Sequence, residues 1–307
     1  MSDEKLIRSS VPELDEILGQ PFKVLNDGFV RVVDYMGSDE SIVQAARVSY
    51  GKGTKKLNED RGLIRYLLRH MHTTPFEMCE IKFHVRVPMD CWRQWIRHRT
   101  ANVNEYSTRY SIAIDSAQKT NKNEWRKQSA TNKQGSGEFL EESIGTVLSQ
   151  KEELLHQQIR EMYEERINND VAREQARKDL PLSTYTEAYW KIDLHNLFHF
   201  LALRMDSHAQ SEIRSYASVI GNEIVSKWCP LSWEAFKDYR LNSFRFSEIE
   251  IIVLKHFIDN KPAEAKKFLL SQKMLTVDGD KIKRSREVIE IESKLKQLGI
   301  KTEWENY

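Results

Sequence analysis

The sequence predicts a protein of the mixed α/β (α+β) class, and two kinds of hydrophobic pattern predict it. Residues 81–87 alternate apolar and polar side chains, which is typical of a strand with one buried face. Residues 57–69 instead place Leu63, Ile64 and Leu67 at the spacing of a helix with one apolar face. Patterns of both kinds recur along the chain, so we expect strands and helices to be interleaved.

The N-terminal part of the chain is predicted to begin with a lead-in, followed by alternating elements. Residues 1–24 are mostly polar and contain Pro12 and Pro21, so we expect them to be loosely ordered. The elements predicted after them are a strand at 29–36, helices at 41–48 and 57–69, a strand at 81–87 and a helix at 89–96. Pro88 separates the last strand from the last helix.

The second part of the chain begins with a change in composition. Residues 111–138 are dominated by Ser, Lys, Gln, Asn and Thr, which bury little apolar area, so a long mobile loop is predicted there. The elements predicted after it are helices at 138–167 and 170–178, a strand at 185–192, and helices at 194–205 and 209–227. Residues 236–307 are predicted as a charged, helical C-terminal extension.

Charge and composition exclude several classes of protein. The 307 residues carry a formal net charge of +1, so no overall field favours nucleic acid or an anionic membrane. No apolar run approaches the roughly 20 residues that span a bilayer, so no membrane partner is predicted. The three cysteines, Cys79, Cys91 and Cys229, are widely spaced, which predicts neither a disulfide framework nor a zinc ribbon and favours the cytoplasm.

The most informative segment of the sequence runs from Arg97 to Tyr110. Its fourteen residues include three Arg, one His and one Glu but no Lys. Arginine in place of lysine suits planar, bidentate recognition of phosphate or carboxylate groups. The segment is therefore predicted to bind an anionic ligand.

Four ordered segments resemble the flavin-dependent thymidylate synthase family. Arg97-His98-Arg99, followed after seven residues by Ser107, is similar to the family's RHR-x7-S signature. The other similar segments are those at 72–77, 172–182 and 203–213. Together they cover roughly residues 25–235 and imply one synthase domain, with 111–138 as an insertion and 236–307 outside it.

The resemblance implies a fold and a reaction. The fold is the family's central sheet with long helices packed on it. The reaction is the reductive methylation of dUMP to dTMP, in which methylenetetrahydrofolate supplies the carbon, NADPH supplies the electrons and FAD carries them. The resemblance also implies a homotetramer with active sites between subunits, no metal and no covalent cysteine nucleophile.

The same resemblance assigns site residues. Those implied to bind dUMP are Gln94, Trp95, Arg97, Glu105, Tyr106, Ser107, Thr108, Arg109, Arg177 and Arg204. Those implied to bind FAD are His72, Thr74, Arg97, His98, Arg99, Glu105, Asp193, Leu194, His195 and His199. Arg204 is implied to be catalytic by stabilising uracil ionised at N3; because arginine keeps its proton, the stabilisation must be electrostatic. Ser107 is interpreted as a nucleotide ligand, since nothing next to it in sequence, apart from Glu105, would activate it as a nucleophile.

Helix geometry adds one expectation about the later site residues. On an unbroken helix, His195 and His199 lie within about 40° of each other, but Arg204 lies about 140° from His199. We therefore expect His199 and Arg204 to leave the helix on different faces and to serve two active sites of an oligomer.

Two other classes of protein remain as alternatives. A metal-dependent hydrolase would use His72, His98, His195 and His199, whose spacings include ones that metals use. A non-catalytic nucleotide- or RNA-binding module would use the arginine-rich segment alone. Cys229 precedes Pro230, the reverse of the Pro-Cys order of the classical synthases, and is interpreted as structural.

Overall fold

A computed structural model of the chain describes residues 9–48, 57–114, 116–129, 135–278, 281–302 and 304. The chain divides into two compact units, Met1–Leu241 and Asn242–Tyr307. The sequence predicts a boundary between residues 235 and 236, just before the π-helical turn that ends the first unit. No helix within the described residues is both long enough and apolar enough to cross a membrane.

The first unit is built on an antiparallel sheet, and its combination of sheet and helices confirms the predicted mixed fold class. Its strands are β1 (Phe22–Val24), β2 (Gly28–Met36), β3 (Glu80–Pro88), β4 (Asn102–Glu105), β5 (Arg126–Gln128), β6 (Ser136–Phe139) and β7 (Tyr185–Asp193). Five of them form the main sheet in the order β1-β2-β3-β7-β4, and β5 pairs with β6 as a separate hairpin. The predicted strands 29–36, 81–87 and 185–192 are thus confirmed as its three central members.

The alternation along β3 divides the sheet into a buried and a polar face. Phe83 and Val85 are buried, whereas His84 and Arg86 between them are only half-buried. Phe83 lies opposite Trp190 of β7 in the antiparallel register, and their rings stack at 5.8 Å. Because successive side chains of a strand point to opposite faces, the apolar residues form one continuous core surface.

The described part of the first unit also contains eleven helices, and all but the two that carry Tyr163 and Ala176 contribute buried residues to the core on the apolar face of the sheet. The helices are α1 (Pro12–Asp15), α2 (Asp39–Val48), α3 (Leu57–Arg69), α4 (Thr74–Glu77), α5 (Met89–Trp95), α6 (Glu142–Asn168), α7 (Arg173–Ala176), α8 (Leu194–Arg204), α9 (Ser211–Val219), α10 (Ser226–Trp228) and α11 (Pro230–Phe236). A 3-10 turn, Arg177–Asp179, follows α7, and π-helical turns lie at Ile220–Val225 and Lys237–Leu241. The buried aromatic side chains Trp95, Trp190, Phe200 and Trp228 form the centre of the core, where large rings contribute most of the buried apolar area.

The prediction of a loosely ordered lead-in is wrong for its described part. Leu14 and Ile17 are buried, and the backbone N–H of Val11 donates to the hydroxyl of Tyr35 at 2.7 Å. Three residues, Phe22–Val24, then pair with β2 as the edge strand of the sheet. The few apolar residues of this segment are enough to order it, because they pack against the core of the rest of the domain.

The prediction of a long loop at 111–138 is confirmed for the described residues up to Trp125, which form no helix or strand, but it missed the strands β5 and β6. Trp125 donates from Nε1 to Oγ of Ser149 at 2.9 Å, and the backbone N–H of Thr120 donates to Glu152 at 2.7 Å. These contacts fasten the segment to α6, and residues after Trp125 form the β5–β6 hairpin. Hydrogen bonds to a helix hold the segment in place. Its polar side chains can form such bonds, but the hydrophobic pattern of the sequence does not reveal them.

The second unit has a core of its own. Its elements are α12 (Glu248–Ile258), α13 (Pro262–Ser271), β8 (Leu275–Asp278), β9 (Lys281–Arg284) and α14 (Arg286–Gln297). Val253, Leu269, Val288 and Trp304 are fully buried between them. The helical prediction for this region is confirmed for three elements, but it missed the β8–β9 hairpin, whose four-residue strands are too short to give a clear alternation.

Candidate active site

The arginine-rich segment begins where the core ends. Pro88 closes β3 and precedes α5, whose last residue, Trp95, packs against the rings of Trp190, Phe200 and Tyr216. The turn that follows is therefore anchored at its first residue by the most rigid part of the core. The two arginines of that turn, Arg97 and Arg99, are exposed.

Helix α8 supplies the other wall of the site. It begins at an N-cap, Asp193, whose carboxylate accepts from the backbone N–H of Asn196 at 2.9 Å, and it ends at Arg204. Between this helix and the turn lies a cavity of about 330 Å³. The residues that line it are Arg97, His98, Arg99, Thr100, Ile192, Asn196, His199, Leu203 and Arg204.

Arg204 is held on two sides within this cavity. Its Nε donates to Nε2 of His98 at 3.1 Å, and its Nη2 donates to the backbone oxygen of Gln94 at 3.2 Å. Burial, and then the charge of Arg97, lower the pKa of the Arg204 guanidinium. An arginine nevertheless keeps its proton at neutral pH, so the cavity presents a fixed positive charge.

His98 is neutral in this arrangement. Burial lowers the pKa of His98 to about 4, and the neighbouring charges of Arg204 and His199 act in the same direction. The rings of His98 and His199 meet edge to face, with centroids 5.7 Å apart. A neutral imidazole can accept a hydrogen bond, which is the role that the Arg204 guanidinium requires of it.

A second group of predicted residues lies in the turn after β4. Arg177 donates from Nη1 to Oγ1 of Thr108 at 2.7 Å, and the backbone N–H of Arg109 donates to Oγ of Ser107 at 3.3 Å. The Arg109 guanidinium lies 3.8 Å from the Glu174 carboxylate, and both side chains are exposed. The turn thus gathers two arginines and two hydroxyls, a set that suits a phosphate group.

Glu105 and Tyr106 contribute to the lining of a different, smaller cavity, although the side chain of Glu105 points to the face of its strand partner Ala188, opposite to that of His84. The carboxylate of Glu105 accepts from Oγ1 of Thr186 at 2.9 Å, and the backbone N–H of Tyr106 donates to the backbone oxygen of Glu187 at 2.8 Å. His84 also lines this cavity of about 230 Å³. Within one chain, these predicted ligand residues therefore lie in three places: the Arg204 cavity, the turn after β4, and the smaller cavity beside His84.

Two of the predicted ligand residues belong to the core instead. Trp95 and Leu194 are both 0 % exposed. Leu194 also uses its backbone N–H to bind the backbone oxygen of Cys79 at 2.8 Å. Their side chains are therefore closed to a ligand in this fold, and the assignment of Trp95 to dUMP and of Leu194 to FAD stays a prediction that would have to use main-chain atoms. The family resemblance suggests both residues, but it does not reveal that their side chains are buried.

The expectation that His199 and Arg204 would leave α8 on different faces is wrong. Both line the same cavity. Arg204 is the last residue of the helix, and a long side chain on a helix extends back toward its N-terminus. That direction and the length of the arginine side chain bring its guanidinium to His98 despite the angular offset.

The remaining predicted flavin ligands lie near α4 and at the start of α8. Thr74 is the first residue of α4, and the exposed His72 stacks its ring on Tyr66 with centroids 5.8 Å apart. The ring centroids of Phe76 in α4 and Phe198 in α8 are 6.4 Å apart, so the two helices pack together. His195 is half-buried in the first turn of α8.

The sequence did not indicate three further residues that support the site. Asn196 lines the Arg204 cavity, three positions before His199 on α8. Gln210 and Asp90 form hydrogen bonds that lead to Gln94. Asn196 could have been found from its helical spacing to His199, but Asp90 and Gln210 are joined only by tertiary folding.

The metal-hydrolase alternative finds no ligand cluster. Among the residues that the structure describes, no three His, Cys, Asp or Glu side chains lie together as a metal site. Of the four histidines that this alternative requires, His98 and His199 line the cavity, whereas His72 stacks on Tyr66.

Comparison with known proteins agrees with these features. The model of the family described as Thymidylate synthase complementing protein matches residues 31–231. A flavin-dependent thymidylate synthase of Wolbachia pipientis wMel is 52 % identical over 261 residues, covering 83 % of this chain and 90 % of that protein. One from Rickettsia conorii is 51 % identical over 267 residues, with the same two coverages of 83 % and 90 %.

Solved structures give the same result. The crystal structure of a UMP/dUMP methylase from Streptomyces cacaoi, bound with 5-Br dUMP, matches with a TM-score of 0.65 and 30 % identity. The match covers 72 % of this chain and 99 % of that one. The antiparallel sheet, the arginine-rich turn and these matches define the class as that of the thymidylate synthase complementing proteins. The chain belongs to the family of flavin-dependent thymidylate synthases.

Proposed function

We propose that this protein is an FAD-dependent thymidylate synthase that converts dUMP to dTMP by reductive methylation. The observation that carries the proposal is the identity of about half the residues with named flavin-dependent thymidylate synthases over 83 % of the chain. The 5-Br dUMP bound to the Streptomyces methylase supports dUMP as the substrate. The proposal includes methylenetetrahydrofolate as the carbon donor and NADPH as the reductant.

The donor set of the Arg204 cavity fits FAD. Arg97 and Arg99 are exposed cations, and His199 adds donor capacity at the same wall. Guanidinium groups bind pyrophosphate oxygens strongly, so these side chains would hold FAD, with Thr74, His72, Asp193 and His195 as further candidates. When bound, FAD supplies the hydride transfer, and the protein supplies binding and orientation.

The nucleotide is assigned to the turn after β4 together with Gln94, Arg97 and Arg204. Arg177, Arg109 and the hydroxyls of Ser107 and Thr108 would bind its phosphate group. Arg204 would stabilise negative charge on the uracil ring, with its guanidinium oriented by His98 and by the backbone oxygen of Gln94. Fixed donors of this kind are worth about 3–4 kcal/mol when they point at developing charge.

The proposed chemistry uses no cysteine nucleophile. All three cysteines of the chain are free and buried. Burial raises the pKa of the Cys91 and Cys229 thiols, which disfavours the reactive thiolate. The oxygen of Ser107 accepts a backbone hydrogen bond, which supports its role as a ligand rather than a nucleophile.

The proposed assembly is a homotetramer with active sites between subunits. Within one chain, Arg177 and Thr108 are bonded to each other but do not line the Arg204 cavity. The proposed site for nucleotide and flavin uses both groups of residues, and an active site between subunits would bring them together. We propose a cytoplasmic location, which the free cysteines support, and neither nucleic acid nor a membrane as a partner.

The experiment that tests the function follows the hydrogen at C5 of the substrate. The purified protein should be yellow, contain about one FAD per chain, and release tritium from dUMP labelled at C5 only when NADPH and methylenetetrahydrofolate are both present. A colourless protein with stoichiometric zinc would instead indicate the metal-dependent hydrolase. Bound nucleotide without any tritium release would indicate a binding module.

A further inference from the structure

A series of hydrogen bonds connects the β5–β6 hairpin to Gln94. Arg126 of β5 bonds through Nη2 to Oε1 of Glu212 at 2.5 Å. Gln210 is the N-cap residue of α9, and Glu212 lies in the first turn of that helix. Gln210 donates from Nε2 to Oδ2 of Asp90 at 3.2 Å and accepts from Nε2 of Gln94 through its own Oε1. The hairpin is thereby tied to a residue that is proposed to bind dUMP.

The Asp90 carboxylate fixes the direction of both amides. An ionised carboxylate can only accept hydrogen bonds, so Gln210 must turn its NH₂ group toward Asp90. Its carbonyl oxygen then faces Gln94, which must donate from its own NH₂ group. The side-chain oxygen of Gln94, Oε1, is then the atom of this amide that can accept a hydrogen bond from a ligand.

The ion pair that ties the hairpin to α9 is shielded from water. The side chains of Arg126 and Glu212 are 22 % and 15 % exposed. Burial raises the pKa of the Glu212 carboxyl, but hydrogen bonds from Arg126, the backbone and Gln210, together with the charge of Arg126, outweigh it and leave that pKa below its usual range. Removing one partner destabilises the surrounding structure more when the ion pair is partly buried than when it is exposed, because a charge is left unpaired away from water. Removing Arg126 should therefore loosen the turn that carries Gln210.

We propose that Gln210 is a positioning residue that presents the side-chain oxygen of Gln94, Oε1, to a hydrogen-bond donor of dUMP, and that Arg126 holds Gln210 in place through Glu212. The β5–β6 hairpin then contributes to substrate affinity without touching the substrate. The inference rests on the proposed function, in which Gln94 binds dUMP.

A double-mutant cycle on the full-length, FAD-loaded enzyme tests this proposal. The dissociation constant of dUMP is measured for the wild type, Arg126→Ala, Gln94→Ala and the double variant. We expect Arg126→Ala to weaken dUMP binding about fivefold, and to weaken it less than about twofold when Gln94 is already alanine. Gln210→Ala, measured in the same two backgrounds, should behave likewise. Lys127→Ala is the matched control, because the adjacent Lys127 pairs with the exposed Glu138, at 3.7 Å, and should leave affinity unchanged.

The outcomes separate this inference from the function on which it rests. Equal weakening by Arg126→Ala in both backgrounds would overturn it, since a general structural effect does not require Gln94. Unchanged affinity in Arg126→Ala and Gln210→Ala would overturn it too, while leaving the proposed function intact. A wild-type protein that binds FAD but no dUMP would overturn the proposed function and the inference together. Flavin content and the thermal unfolding midpoint of each variant identify any that misfold, and Gln210→Ala then decides in place of Arg126→Ala.

Discussion

Nε of Arg204 donates to Nε2 of His98 at 3.1 Å, so a neutral imidazole orients the charged group that is proposed to act on the uracil ring. Burial and nearby positive charge lower the pKa of His98 to about 4, which keeps it able to accept. The two residues come from different elements, the turn after α5 and the end of α8, and meet at one cavity.

Replacing His98 should therefore lower turnover through Arg204. We expect His98→Ala to reduce kcat for tritium release about 10- to 100-fold, because a mobile guanidinium loses much of its preorganised stabilisation. His98→Gln is the matched variant, since an amide oxygen can accept from Arg204, and it should recover a large part of the loss. If His98→Ala turned over as fast as the wild type, the orienting role would be excluded.

The lowered pKa of His98 also predicts how stability depends on pH. Its ordinary value is 6.5 and its value in the fold is about 4. Above pH 6.5 both the folded and unfolded states are neutral at this residue; between pH 6.5 and 4 only the unfolded state takes up the proton. Stability should therefore fall as the pH decreases through this window.

Thermal unfolding of the wild type and of His98→Gln across this pH range measures that contribution. The unfolding midpoint of the wild type should fall more steeply between pH 6.5 and 4 than that of His98→Gln, which cannot titrate at this position. Parallel curves would show that the His98 pKa is not lowered in the fold.

Burial of every cysteine predicts resistance to thiol reagents. Cys79, Cys91 and Cys229 are each 0 % exposed, and no step of the proposed reaction uses them. The folded enzyme should keep its activity after prolonged treatment with iodoacetamide, with alkylation measured by mass spectrometry. Stoichiometric labelling of one cysteine with parallel loss of activity would refute the absence of a cysteine nucleophile.

Gly37 should tolerate substitution poorly, because both its backbone conformation and its surroundings exclude a side chain. Its φ is +85°, and a Cβ at this position would lie 2.7 Å from Sγ of the buried Cys79. We expect Gly37→Ala to lower the free energy of unfolding by about 2 kcal/mol or more, as measured by urea denaturation. Gly62→Ala is the control, because Gly62 lies in α3, where a Cβ would meet no atom within 4 Å, and this variant should be neutral or slightly stabilised.

Sequence patterns predicted the elements that have strong periodicity of their own. Strands β2, β3 and β7 and helices α3, α5 and α8 were all predicted, because their buried faces repeat at a regular spacing. Short edge strands such as Phe22–Val24 were missed, since three residues give no period and their partner strand determines their conformation. The β5–β6 hairpin was missed for the same reason.

The site was only partly predictable from the sequence. The family resemblance supplied Arg97, His98, Arg99 and Arg204, but not the hydrogen bond that joins Arg204 to His98. The burial of Trp95 and Leu194 depends on which face of each helix meets the sheet, and the positions of Asp90 and Gln210 depend on tertiary contacts. Neither the orientation of a helix against the sheet nor a tertiary contact can be predicted from the local sequence.

Turnover by Arg204→Ala tests the central claim most directly. The variant should retain FAD and a native unfolding transition, but its kcat for tritium release from dUMP should fall about 100-fold or more, because the fixed positive charge that is proposed to stabilise the uracil ring is lost. A flavin-loaded Arg204→Ala enzyme with wild-type kcat would contradict the account.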